Sequence, residues 1–285
     1  MRFAKPKVFQ LGQTELNDDG VNQFLMHIGA DEWVNSTFVK TNLSESVVLT
    51  RRGQASPIET LSEIYSRGCY KSFGAGLNPN VTRVREGNKE HLMNVIASKH
   101  GSIFEHTSVN FAFCDVSRVF THELCRHRVG VAISQESLRY VRLTDLKCLD
   151  FEPLEELSKD ENEWFNGQMT EVFTFLEEKQ KLFAVKFQLD DVKNFDKKKK
   201  ITSRMRRAAQ IGLLKYIGWT ANMRTLRHVI PLRTHSSAEE EIRYVFKIVG
   251  DMMVKQYPHV FFDFTFHPDG NGSELGEWRC EHAKI

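Results

Sequence analysis

Arg126-His127-Arg128 puts three cationic or titratable side chains in a row just before Gly130. Holding such groups together at a chain reversal costs free energy unless an anion neutralises them. Guanidinium forks suit phosphate, pyrophosphate or a carbonyl edge. The polar stretch Ser134-Gln135-Glu136-Ser137-Leu138-Arg139-Tyr140 follows. A second basic cluster lies in Asn222-Met-Arg224-Thr-Leu-Arg227-His228, with Arg233 beyond it. On a helix, 224, 227 and 228 share one face and Asn222 stands at its start. Two such clusters in a nearly neutral chain point to a deep site for a polyanionic small molecule rather than a broad nucleic-acid surface. A third element is Phe104-Glu105-His106, with His100 just ahead.

Other reactive patterns carry less. His122-Glu-Leu-Cys-Arg-His127 resembles a zinc motif, but its histidines stand at i and i+5, about 140° apart around a helix rather than on one face. No metal site is expected. Cys125, beside cationic side chains, could be a nucleophile; a small buried residue next to Leu124 is the plainer reading. Lys197–Lys200 reads as a solvated loop.

The elements that position these residues follow from periodicity and caps. Residues 59–67 look helical, and the glycine-rich stretch 74–80 reads as a loop. Asn88 is placed to cap a helix carrying Leu92, Val95 and Ile96 that ends near Gly101. Residues 106–114 alternate as a half-buried strand. Asp115 then caps a helix with Val116, Val119, Phe120 and Leu124 as its apolar stripe. Strand segments flank Ser134–Ser137. A long helix over 161–186 has Trp164, Val172, Phe175, Leu176 and Phe183 as expected core positions. Helices follow near 203–215 and 223–232. A last one, near 237–256, buries Ile242, Val245, Phe246, Val249 and Met253. The tail after Phe266 reads as a loop, and Asn17–Gly20 as a turn. Helix dominates around one group of mostly antiparallel strands, so the fold class is α+β, a central sheet flanked by long helices. Residues 1–57 read as an extension or peripheral layer, 58–265 as the functional domain and 266–285 as a tail.

Composition removes whole classes. The 285 residues are 41% hydrophobic and 27% charged, and 39 Lys+Arg against 37 Asp+Glu leave +2. That balance argues against a nucleic-acid coat or a polybasic membrane binder. No apolar run approaches the ~18–20 residues of a spanning helix, and the N-terminus lacks a secretory pattern. Five cysteines without a CxxC pair fit a reducing compartment, hence a cytoplasmic protein.

In this order the motifs resemble the flavin-dependent thymidylate synthases: Phe104-Glu-His106, Arg126-His-Arg128, Ser137, Arg139-Tyr140, Asn222-x-Arg224, Arg233 and Glu241-Ile-Arg243. Ser72-Phe73 looks like the family's early flavin-contacting serine. The resemblance spans roughly 58–265. It implies a homotetramer with active sites shared between subunits, each holding FAD. NADPH would reduce the flavin, methylenetetrahydrofolate would supply one carbon, and C5 of dUMP would receive it to give dTMP. No nucleic-acid or membrane partner is implied. Arg233 matches the arginine at the pyrimidine O2 edge. Glu123, Arg126, Gln135, Ser137, Leu138 and Arg139 match nucleotide positions. Ser72, Ser102, Arg126, His127, Arg128, Asn222, Arg224 and His228 match flavin positions, and His100 a histidine near the flavin's outer face. Arg233, Ser137 and His100 are the expected catalytic set.

The chain also departs from that pattern. Eight residues, where the family has seven, separate Arg128 from Ser137, so the loop 129–133 should carry an insertion or bulge. Glu123 replaces a glutamine, and an ionised carboxylate accepts but cannot donate. Gln210 falls near a nucleotide-binding arginine of the family. His228 replaces an asparagine and Ser237 a histidine. UMP or a cytidine nucleotide is therefore an open alternative, and a non-catalytic nucleic-acid-binding protein a further one.

Overall fold

A computed structural model describes every residue except 1, 45, 75–77, 82, 142, 144–145, 151–156, 271–272 and 284, together with the backbone alone at Arg2. Part of the expected loop 74–80 thus lies outside the described residues. The first 57 residues, weakly periodic in sequence, fold into regular elements: β1 (Arg2–Ala4), β2 (Lys7–Gln13), α1 (Asp18–His27), α2 (Asp31–Thr37), β3 (Phe38–Asn42) and β4 (Val47–Arg51). Asn17–Gly20 is the start of α1 rather than a turn, because the Asn17 side chain caps the helix by accepting from the Gly20 N–H at 2.9 Å. Leu25, Trp33, Val34, Phe38 and Leu49 bury themselves with Ile64 and Phe73 in one apolar cluster.

Ser56 and Glu59 form a capping box that opens α3 (Pro57–Tyr70), with Pro57 in its first turn. Helix α4 (Asn88–Ala97) is capped by Gly87 and not by Asn88. The Asn88 amide is engaged elsewhere, donating to the Glu59 carbonyl at 3.0 Å and to Glu63 at 2.7 Å. A 3₁₀ turn (Gly101–Glu105) leads to β5 (Ser108–Val116) and α5 (Arg118–Leu124). Ser117, rather than Asp115, caps α5. Asp115 remains in the strand with φ +54° and pairs with Lys147 at 2.9 Å. Next come β6 (Val131–Gln135), β7 (Lys147–Leu149) and α6 (Lys159–Lys186). Helix α6 turns Phe173 and Gln180 inward and leaves Trp164, Val172 and Phe175 exposed, so these three are not the core positions expected.

The lysine run is helical, not a loop. Asn194 accepts from the Lys197 N–H at 2.9 Å and starts α7 (Phe195–Met205). The helix expected at 203–215 is therefore displaced toward the N-terminus. Then follow β8 (Lys215–Asn222), α8 (Met223–Thr234) and α9 (Glu240–Gln256). All five apolar residues expected on α9 are fully buried, and each such side chain contributes roughly 1.5–3 kcal/mol of transfer free energy. The tail forms an antiparallel hairpin of β9 (Phe264–Pro268) and β10 (Gly276–Cys280) where a loop was expected.

The sheets are small. Strands β2, β5, β8 and β6 are hydrogen-bonded in that order. β3–β4 and β9–β10 are antiparallel, and β1–β7 is parallel. Contacts divide the chain into two units: one of 1–9, 111–128 and 132–219, the other of 10–110, 129–131 and 220–285. In the first, Phe111 and Phe113 pack against Trp219. In the second, α8 and α9 bury Met223, Leu226, Val229 and Ile230 and the five apolar residues of α9. No helix among the described residues is long and apolar enough to cross a membrane.

Candidate active site

Most of the expected flavin-contacting residues lie in the second unit, around the 3₁₀ turn Gly101–Glu105. That turn packs against α3 and α8. Tyr70, at the end of α3, shares a hydrogen bond with His100 Nδ1 at 2.6 Å, and the two rings stack with centroids 5.6 Å apart. Ser102 is exposed. Glu105 pairs with Arg224, whose Nε also donates to the Ile285 carbonyl at 2.7 Å. The Ser72 hydroxyl is buried and has no hydrogen-bond partner in the structure. An unmet buried hydroxyl is costly, so this oxygen is suited to a ligand.

Asn222 begins α8 and joins it to the turn after Arg-His-Arg. Its side chain accepts from the Thr225 N–H at 2.8 Å. Its own backbone N–H donates to the Gly130 carbonyl at 2.9 Å, and Thr225 Oγ1 donates to the Val129 carbonyl at 2.7 Å. Gly130 has φ +67°. A Cβ there would collide with the Asn222 amide and stand 2.6 Å from Thr225 Oγ1. Only glycine fits both constraints. The expected bulge between Arg128 and Ser137 is thus a tight turn, followed at once by β6.

Helix α8 separates the residues of the second basic cluster. His228 is exposed and Arg224 half-buried, whereas Arg227 is fully buried. Arg227 grips Asp263 through two bonds of 2.8 and 2.9 Å and donates to the Val260 and His282 carbonyls. Burial raises the Asp263 pKa, but the Arg227 hydrogen bonds and charge outweigh it and hold the carboxyl below its usual range. Arg227 is a structural residue, and the expectation of one shared basic face is corrected. Arg233 lies half-buried in the last turn of α8. Ser237, which the resemblance sets against a family histidine, has its hydroxyl 2.9 Å from His235 Nδ1.

The first unit holds the expected nucleotide residues other than Arg233, together with His127 and Arg128 of the flavin set. Arg126 and His127 continue past α5 in a turn, their N–H groups donating to Glu123 and Leu124 carbonyls at 3.3 and 3.1 Å. Glu123 Oε2 lies 3.7 Å from Arg126 Nη1, a loose surface pair worth little stability. Arg128 is exposed and His127 half-buried. Cys125 is exposed at the α5 terminus, contrary to the buried reading. The Gln135 amide nitrogen is buried without a partner. The Ser137 carbonyl accepts from the Tyr140 and Val141 N–H groups at 3.0 and 3.1 Å. This turn anchors Leu138 in a core with Phe173 and Leu213. The Arg139 guanidinium carbon stands 5.6 Å from the Tyr140 ring centroid. Gln210 is half-buried, and its carbonyl accepts from Leu213. Among the described residues, no cluster of three or more His, Cys, Asp or Glu could hold a metal.

Sequence reasoning placed Lys199 and Lys200 in a solvated loop. Lys199 and Lys200, on α7, line a cavity of about 310 Å³ with Arg139, Asp196 and Ser203. The Asn194 cap was the signal that could have placed them.

The family description "thymidylate synthase complementing protein" matches residues 54–259. The chain belongs to this family. It is 31% identical over 222 residues to the flavin-dependent thymidylate synthase of Mycolicibacterium vanbaalenii, covering 75% of this chain and 83% of that one. It is 30% identical over 223 residues to the Mycobacterium marinum enzyme of the same name, covering 76% and 84%. Like these relatives, this member of the flavin-dependent thymidylate synthase family is an enzyme. Its fold is similar to that of PolB, a UMP/dUMP methylase from Streptomyces cacaoi seen with 5-Br UMP (TM-score 0.57, 15% identity, 92% of this chain and 96% of that one). It is also similar to ThyX from Helicobacter pylori, seen with FAD and dUMP (TM-score 0.51, 20% identity, 73% and 94%).

Proposed function

We propose that this enzyme methylates C5 of dUMP to give dTMP, with FAD as cofactor and NADPH and methylenetetrahydrofolate as co-substrates. The observation that carries the reading is the Gly130–Asn222–Thr225 lock, which fastens the turn after Arg126-His-Arg128 to the start of α8. The unmet Ser72 hydroxyl, the Tyr70–His100 stack and Arg224 fit a flat, polyanionic cofactor. Bound FAD would supply the redox chemistry. Ser72, Ser102, His127, Arg128, Asn222, Arg224 and His228 would hold it, with Arg126 between flavin and nucleotide.

Arg233 would stand against the O2 edge of the pyrimidine and stabilise the charge that develops as C5 becomes nucleophilic. Ser137 and the Leu138 backbone would fix the nucleotide, Gln135 would donate its unpaired amide, and Arg139 would hold the phosphate. His100, held by Tyr70, would present an imidazole to folate. We read the assembly as a cytoplasmic homotetramer with shared sites and no nucleic-acid or membrane partner. The exposed apolar side chains Trp164, Phe175, Leu182 and Val185 on α6 offer surface for subunit contact.

A second reading keeps the flavin and changes the nucleotide to UMP or a cytidine nucleotide. It rests on Glu123, whose carboxylate favours a ring edge that donates, such as cytosine N4. Thermal shift with dUMP, UMP, dCMP and CMP separates the two. Stabilisation by dUMP supports the first, and stabilisation by UMP or a cytidine nucleotide alone supports the second.

A further inference from the structure

We propose that α7 belongs to the substrate site, where Lys199 and Lys200 close on Arg139 to form a clamp for the phosphomonoester of the nucleotide. This rests on the pyrimidine-nucleotide reading above and adds to it two residues outside Arg126-His-Arg128, Ser137 and Arg139-Tyr140. The clamp is built within one unit. Phe195 stacks on Tyr140 with centroids 5.9 Å apart, and Thr202 Oγ1 donates to the Arg139 carbonyl at 2.7 Å. These contacts dock α7 on the segment that presents Arg139. Lys199 Nζ then stands 5.3 Å from the Tyr140 centroid, on the ring that Arg139 also approaches. The Lys199 hydrogen bond lowers the Tyr140 pKa, ahead of the opposing effect of burial.

Charge selects the ligand. Arg139, Lys199 and Lys200 line the cavity of about 310 Å³ against the single carboxylate of Asp196, and Ser203 adds a hydroxyl. Three cations facing one anion repel unless a ligand neutralises the excess. A phosphomonoester carries about −1.5 to −2 near pH 7, with a second pKa near 6, and so matches that excess. A phosphodiester carries only about −1 per phosphate. The clamp therefore fits a free nucleoside monophosphate and disfavours the interior of a nucleic-acid strand. Lys197 is on the same helix but does not line the cavity.

Binding of dUMP and deoxyuridine to the purified full-length protein, wild type and K199Q/K200Q, tests the clamp. K197Q is the control. The expected result is dUMP affinity reduced about 10- to 100-fold in the double variant, the range for lost hydrogen bonds to charged groups, with deoxyuridine binding unchanged. The dependence of dUMP affinity on salt should also flatten. Unchanged dUMP affinity in K199Q/K200Q, or an equal loss for deoxyuridine, overturns the clamp. Amine labelling of the wild type adds an independent readout, in which inorganic phosphate should protect Lys199 and Lys200 but not Lys197. If phosphate protects them while dUMP, UMP, dCMP and CMP all fail to bind, the clamp stands and the nucleotide reading falls. Equal labelling of the three lysines with and without phosphate contradicts the clamp.

Discussion

The backbone N–H of Asn222 donates to the carbonyl of Gly130 at 2.9 Å, tying the first residue beyond Arg-His-Arg and Val129 to the cap of α8. Gly130→Ala should break this relationship. An alanine at φ +67° costs roughly 1–2 kcal/mol, and its Cβ would also press on Thr225 Oγ1. We expect a loss of about 2 kcal/mol or more in urea unfolding, together with weaker flavin retention. Wild-type stability in this variant would show that the turn tolerates a side chain.

Arg224 and Arg227 are three positions apart and should behave oppositely. Arg227→Ala leaves the Asp263 carboxylate buried and unpaired, a loss of about 3–5 kcal/mol that would appear as poor folding. Arg224→Ala removes a partly exposed pair with Glu105, so unfolding should shift by less than about 1 kcal/mol while flavin is lost on gel filtration. The reverse pattern would exchange their roles.

Acid should weaken the protein in two stages. His91 is buried, with Nε2 2.7 Å from Ser66 Oγ. Burial first, and then the Arg67 charge, depress its pKa to about 4. The unfolded chain therefore binds a proton near pH 6.5 that the folded chain resists. His91 costs stability as pH falls from about 6.5 to 4, on the order of 3 kcal/mol in all. Glu63 is opposite in kind. Burial raises its pKa, but Arg51 and Arg67 outweigh that and hold it below the usual value, so its contribution is lost only at lower pH. Urea unfolding from pH 7 to 4 should show the first stage, and His91→Gln should flatten it. A wild-type curve that is flat across this window would contradict a neutral, buried His91.

The legible parts of the sequence were those decided by near neighbours. The α9 stripe appears in the structure because local spacing sets it. The long helix was legible but its face was not: Gln180 turns inward because its amide donates to the Met205 carbonyl at 3.0 Å, a partner sequence spacing cannot show. Arg227 was misjudged for the same reason, since Asp263 lies in another element. Asn88 has the chemistry of a cap, but long-range bonds to α3 claim its amide. The order of site motifs could be read along the chain; the unmet hydroxyl of Ser72 and the lysines beside Arg139 required the packing.

Arg233 and Arg128 separate substrate from cofactor. Arg233→Ala should abolish turnover while FAD remains bound, because its proposed partner is the pyrimidine. Arg128→Ala should weaken FAD retention and leave turnover partly recoverable with excess cofactor. Loss of flavin from Arg233→Ala, with turnover restored on reconstitution, would assign Arg233 to the cofactor.

The most direct measurement is the visible absorption spectrum of the purified protein, before and after addition of FAD and then dUMP. A yellow protein whose flavin bands shift when dUMP is added is the predicted result. Colourless protein that neither retains added FAD nor responds to any pyrimidine nucleotide would contradict the account.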